Sequence, residues 1–168
     1  MSTESKSGGS RTKAEKEPVT DPGEIGRLMQ EGAGKLHPDM QLPPPVFLEM
    51  QGVFESYVPG ESLSVSFPVR PEYDNPMKRM QGGFICAAMD NTMGPLSFLV
   101  TGGAAVTLSL NVDFVRGIKA GDILTCVASV LSRSRTNLIL DVEAFDGRGK
   151  LVARCSSQFQ VFGAKRGQ

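Results

Sequence analysis

The chain has 168 residues, 40% of them hydrophobic, with 18 basic and 18 acidic side chains and a formal net charge of zero. That is the length of one domain with enough apolar content for a single core, and its charge balance sets up no field that would draw nucleic acid or an anionic membrane surface. The three cysteines, Cys86, Cys126 and Cys155, are odd in number and irregular in spacing. They point to free thiols in a reducing compartment, hence to the cytoplasm. No run approaches the roughly 18 apolar residues that span a bilayer, and the first twenty residues lack the apolar stretch of a secretory leader.

Residues 1–20 are rich in Ser, Gly, Lys and Glu, with almost nothing to bury, and are expected to be a disordered tail. Residues 21–45 read as a short helix with Ile25, Leu28 and Met29 on its apolar face, followed by Pro43-Pro44-Pro45, an extended connector. His37, the sole histidine, precedes that connector and is expected on the surface. The folded domain is expected over residues 46–163, its core starting near Val46.

Two strands are expected over residues 47–57 and 62–69, joined at Pro59-Gly60, where Pro sets the first turn dihedral and Gly takes a positive one. Residues 82–100 form one long helix, apolar nearly all round and therefore buried, with a kink expected at Gly94-Pro95. Val106, Leu108, Leu110, Val112 and Phe114 then alternate with Thr107, Ser109, Asn111 and Asp113, the period of a half-buried strand. Strands over 123–132, 137–145 and 151–162 follow, the last two joined by the hairpin signal Asp146-Gly147-Arg148-Gly149. The pattern is α+β: an antiparallel sheet, its last four strands in meander, curled around a helix too apolar to face water.

The informative stretch is Gln81-Gly82-Gly83 through Asp90. Between Arg79 and Asp113 the only ionisable carboxylate is Asp90. A charge in such an apolar segment is costly to bury unless it is paired or put to use. Two turns earlier, the free N–H groups at the helix start make an electropositive terminus able to polarise a carbonyl. One element thus offers a carboxylate and an oxyanion-type donor, which suits attack of water, or of the carboxylate itself, on an acyl carbonyl.

Asn75, then Gln81-Gly82-Gly83, then Asp90 nine positions after the Gln, together with Val106 to Arg116 and the Ala120-Gly121-Asp122 turn, resemble the hotdog-fold thioesterase superfamily, in its PaaI-like acyl-CoA thioesterase branch. Gln81 stands where that branch commonly has His. The resemblance implies a hotdog fold, a curled antiparallel sheet wrapped around one central helix, in protomers that pair edge to edge as a homodimer or tetramer with active sites at the interface. It implies hydrolysis of an acyl-CoA thioester, with coenzyme A as part of the substrate and no metal or other cofactor. Asp90 would be general base or nucleophile; Gly82 and Gly83 would bind the thioester oxygen; Gln81 would hold water or thioester. Asn75 would touch the site, and Thr107 would lie near the acid of a partner subunit. Arg116, Lys119, Arg133 and Arg135, grouped at strand ends, are candidate contacts for the CoA phosphates.

Each of these residues has a plainer reading. Asp90 fits a satisfied buried acid, Gly82 and Gly83 an ordinary helix start, Gln81 a polar loop residue, and Asn75 a turn. Thr107 and Ser109 fit a solvated strand face, and the four cations a solubilising surface. Two other functions compete with hydrolysis. A non-catalytic acyl-CoA binding module could dispense with Asp90, and a hotdog hydratase or dehydratase would need a core His with an acid, which the sequence lacks.

Overall fold

The computed structural model describes residues 16–33 and 42–162. Its helices and strands run in the order α1 (Pro22–Ala33), α2 (Pro45–Glu49), β1 (Val53–Val58), β2 (Ser62–Pro68), α3 (Gly82–Thr101), β3 (Ala104–Phe114), β4 (Ile123–Arg133), β5 (Asn137–Phe145) and β6 (Leu151–Phe162). The six strands form one antiparallel sheet in the order β1-β2-β4-β5-β6-β3. The sheet curls around α3, whose Met89, Met93 and Leu96 are fully buried against inward residues such as Leu63, Leu124, Leu140 and Phe159. This is the hotdog architecture.

The expected four-strand meander is corrected. Only β4, β5 and β6 follow one another; β3 lies beyond β6, and β4 pairs with β2. A helix apolar on every side must be covered on more than one side. The strands before and after it therefore cannot be neighbours, and residues 115–122 carry the chain back from the β3 edge to the middle of the sheet.

The two hairpin turns form as their residues dictate. Gly60 takes φ 75° and Glu61 N–H donates to the Val58 carbonyl at 2.9 Å. Asp146 Oδ1 accepts from the N–H groups of Lys150 (2.9 Å) and Arg148 (3.0 Å), which hold its carboxyl below the usual range. Helix α3 continues through Pro95 to Thr101, where Gly102 caps it at φ 61°.

The start of the domain departs from expectation. Residues 47–57 are not one strand: Pro45 opens α2 at a position where its missing N–H costs nothing, and β1 begins only at Val53. Phe47 is thereby turned inward onto Phe54, with ring centroids 4.8 Å apart. Nor does the core start near Val46, because Ile25 and Met29 of α1 are fully buried in it. Within the stretch read as tail, Val19 exchanges two 2.8 Å backbone hydrogen bonds with Tyr57, and Lys16 Nζ donates to the Pro59 carbonyl at 2.6 Å. His37 lies outside the described residues.

All three cysteines are free thiols. Burial pushes Cys126 up to about 12 and Cys155 up to about 11, so both behave as small apolar core groups. Among the described residues no helix is long and apolar enough to cross a membrane.

Candidate functional site

Buried polar side chains of α3 satisfy themselves locally. Thr92 and Ser97 donate to the carbonyls of Ala88 (2.9 Å) and Gly94 (2.7 Å). A carboxylate cannot donate in this way. Half-buried Asp90 instead accepts at Oδ1 from Thr107 Oγ1 on β3, at 2.9 Å. Its Oδ2 has no hydrogen-bond partner among the described residues.

Thr107 reaches Asp90 because of a β-bulge. Strand β3 pairs Thr107 with Phe159 but Ser109 with Gln158, leaving Leu108 as the extra residue. Directly paired residues share a sheet face. Thr107 therefore faces inward with buried Phe159, and Ser109 faces outward with exposed Gln158. The expectation that both project from one polar face is corrected, since a bulge reverses the alternation on one side of it. The hydroxyl meets the acid of its own chain.

At the helix start, Gln81 is the N-cap residue with φ −67° and ψ 139°, and its N–H donates to the Tyr73 carbonyl at 2.7 Å. Its side chain caps nothing; a Cβ on Gly83 would stand 2.7 Å from Gln81 Oε1, so the amide lies across that glycine. The N–H groups of Gly82 and Gly83 belong to the first turn and have no intrahelical acceptor. Asn75 plays a different part. Its Oδ1 accepts from the N–H groups of Met77 (2.8 Å) and Arg79 (3.2 Å), which fixes the loop leading into α3.

Asp90 and the glycines share a helix but not a place. Eight residues of α-helix rise about 12 Å, so within one chain the carboxylate and the first-turn donors cannot act on the same carbonyl. The cations divide as well. Strand directions put Arg116 and Lys119 at the end of the sheet near Gly82, and Arg133 and Arg135 at the opposite end, roughly 25 Å away along a strand of β5's length. The expected grouping is therefore two pairs.

Two features at this end were not foreseen. Phe114 sits against Gly82, and Tyr73 stacks on Phe84 with centroids 4.3 Å apart. The paired glycines were the signal that something approaches closely, without saying what. Strand β3 also differs from the half-buried strand expected: it is an edge, and Val106, Leu108 and Phe114 are 48%, 54% and 55% exposed. Among the described residues no three His, Cys, Asp or Glu side chains gather closely enough to hold a metal ion.

Comparisons agree with this architecture. The PaaI protein from the Escherichia coli phenylacetic acid degradation operon superposes with a TM-score of 0.71 at 20% identity, covering 83% of this chain and 97% of its own. A conserved protein of Pseudomonas aeruginosa gives 0.66 at 27% identity, covering 71% and 94%. A Streptococcus mutans protein bound to acetyl CoA gives 0.65 at 21% identity, covering 76% and 97%. No curated protein matches the chain. The sequence model of the thioesterase superfamily matches residues 77–153, the loop before α3 through the first three residues of β6. Over that stretch, somewhat under half of the chain, the sequence matches the thioesterase superfamily, and its fold is the hotdog fold.

Proposed function

We propose that the protein is a PaaI-like acyl-CoA thioesterase of the cytoplasm, working as a homodimer or a dimer of dimers, with Asp90 as its general base. The observation that carries the reading is the Asp90–Thr107 contact: the one carboxylate of α3 has one oxygen held by a hydroxyl at 2.9 Å while the other is left for a water molecule. The acetyl CoA bound to the Streptococcus mutans structure supports the ligand class. The unpaired thiols support the compartment.

The rise of about 12 Å supports a composite site. Two copies of β3 pairing antiparallel about a twofold axis, in a register centred between Leu110 and Asn111, set residue 114 of one chain opposite residue 107 of the other. Phe114, and with it the Gly82 helix start, then stands beside the partner's Thr107 and the partner's Asp90. The same operation brings Arg116 and Lys119 toward the partner's Arg133 and the partner's Arg135, which reunites the cations around the phosphates of one CoA. The pairing also covers an apolar edge that is otherwise open.

In this site Asp90 takes a proton from water and the hydroxide attacks the thioester carbonyl. The N–H groups of Gly82 and Gly83 hold the oxyanion, the C–S bond breaks, and the CoA thiolate leaves and is protonated. Gln81 can orient water or carbonyl through its amide but cannot take up and release a proton as a His would. CoA enters as part of the substrate, and the reading calls for no resident cofactor.

Asp90→Asn keeps the shape and deletes the charge. Turnover of an acyl-CoA panel, followed by thiol release, should fall by roughly 10²–10⁴ with binding and Tm retained. A folded variant that keeps most of its activity removes Asp90 from the mechanism. Silence of the wild type across short, long and aromatic acyl groups leaves the acyl-CoA binding module as the reading.

A further inference from the structure

The helix start has a wall that the mechanism above does not use. A Cβ built on Gly82 would lie 3.0 Å from Cζ, 3.3 Å from Cε1 and 3.5 Å from Cε2 of Phe114. The ring therefore occupies the space where any other residue at position 82 would place its side chain. On the other flank the Gln81 amide lies across Gly83. The two free N–H groups open between an aromatic ring and an amide.

Packing within its own chain does not account for this ring. It is 55% exposed and projects from the last residue of an edge strand, where a residue filling the core would be covered. Its inward neighbour across the sheet is Ala153, which leaves the ring free to lean onto the helix start. Position 82 has no need of glycine for its backbone, since Gly82 is not among the positive-φ residues. A methyl there would press on the ring, which would have to give by a few tenths of an ångström.

We propose that Phe114 is a positioning residue of the thioesterase. Seated on Gly82, its ring shuts water from one side of the donor pair and gives the thioester carbon an apolar surface to rest on, so that the carbonyl oxygen is aimed at the two N–H groups. Donors act more strongly on a developing oxyanion where water is excluded, and small misplacements of the reacting carbonyl cost large factors in rate. The inference rests on the thioesterase reading and adds to it a steric partnership between residues 82 and 114.

The test is a double-mutant cycle of Phe114→Ala and Gly82→Ala, with Phe114→Tyr as the conservative variant and Asp90→Asn beside them. Each is measured for kcat, KM, Tm and mass in solution. Phe114→Ala should lower kcat about 10- to 100-fold, with KM changed less than threefold and with mass and Tm close to wild type. Phe114→Tyr should restore kcat. Gly82→Ala should be damaging beside the phenyl ring and at least fivefold less so in the Phe114→Ala background, where its methyl has room. Wild-type kcat in Phe114→Ala, a loss explained by Tm or dissociation alone, or strictly independent effects of the two substitutions would overturn the proposal. Full activity in Asp90→Asn, or no turnover by the wild type, would bring down the underlying reading instead, and this inference with it.

Discussion

At the scale of single residues, one hydrogen bond separates a working carboxylate from a merely tolerated one. Thr107→Val is nearly isosteric and deletes the donor to Asp90 Oδ1. A hydrogen bond to a charged group contributes about 1.5–3 kcal/mol, so turnover should fall roughly 10- to 100-fold if that much is lost in the transition state. Tm should hold, because Thr107 is exposed and Val suits a strand. Steady-state kinetics with a melting curve checks this, and unchanged kcat would make the contact incidental. The sequence made Asp90 and the glycines visible because a lone charge and a Gly-Gly pair break an apolar pattern. It could not show which way Thr107 points. That depends on the bulge at Leu108, which both paired strands decide together. The contact of Phe114 with Gly82 joins residues far apart in the chain and left no periodic trace either.

At the scale of elements, patterning set the outcome where burial was regular. Helix α3 and strands β4, β5 and β6 lie within a residue or so of their expected limits, since α3 is one unbroken apolar run and the strands alternate buried with more open positions. Where local chemistry competed, the pattern misled. The apolar run after Pro45 is short enough to serve either helix or strand, and a favourable proline start decided for α2. Sheet order escaped sequence reasoning too, because it follows from how many sides of α3 need cover. The end of α3 permits a sharper statement. Gly102 sits at φ 61° and ψ 20°, in the left-handed region, with its N–H donating to the Phe98 carbonyl at 2.9 Å. A Cβ there would meet nothing within 4 Å. Gly102→Ala thus isolates the backbone term, a loss of about 1–2 kcal/mol that should lower Tm by roughly 2–8 °C for a chain of this size. Differential scanning calorimetry would read it, and an unchanged Tm would mean that the cap relaxes out of the left-handed region.

At the scale of the whole molecule, the exposed face of β3 is where the proposed assembly is tested. Light scattering should give a mass of twice or four times the 18.0 kDa chain. Leu108→Asp, which places a charge at the bulge of the open strand where Leu108 is 54% exposed, should shift the protein toward monomer. Activity should fall with the dimer although Asp90, Gly82 and Gly83 are untouched, because the carboxylate and the donors meet only across two chains. An active monomer would refute the composite site.

The opposite edge of the sheet has a different fate. Residues 16–19 lie along β1, where Val19 takes both the donor and the acceptor of Tyr57, and Lys16 spends its ammonium on the Pro59 carbonyl and on Glu61 at 3.6 Å. A sheet with two open borders has a valence of two and can extend without limit, as fibrils do. Bridging Val19 to Tyr57 occupies one end of the β1 border with the chain's own leading segment. A copy that docks at β3 then leaves outer borders whose Tyr57 ends are already taken, which weighs against extension beyond the pair.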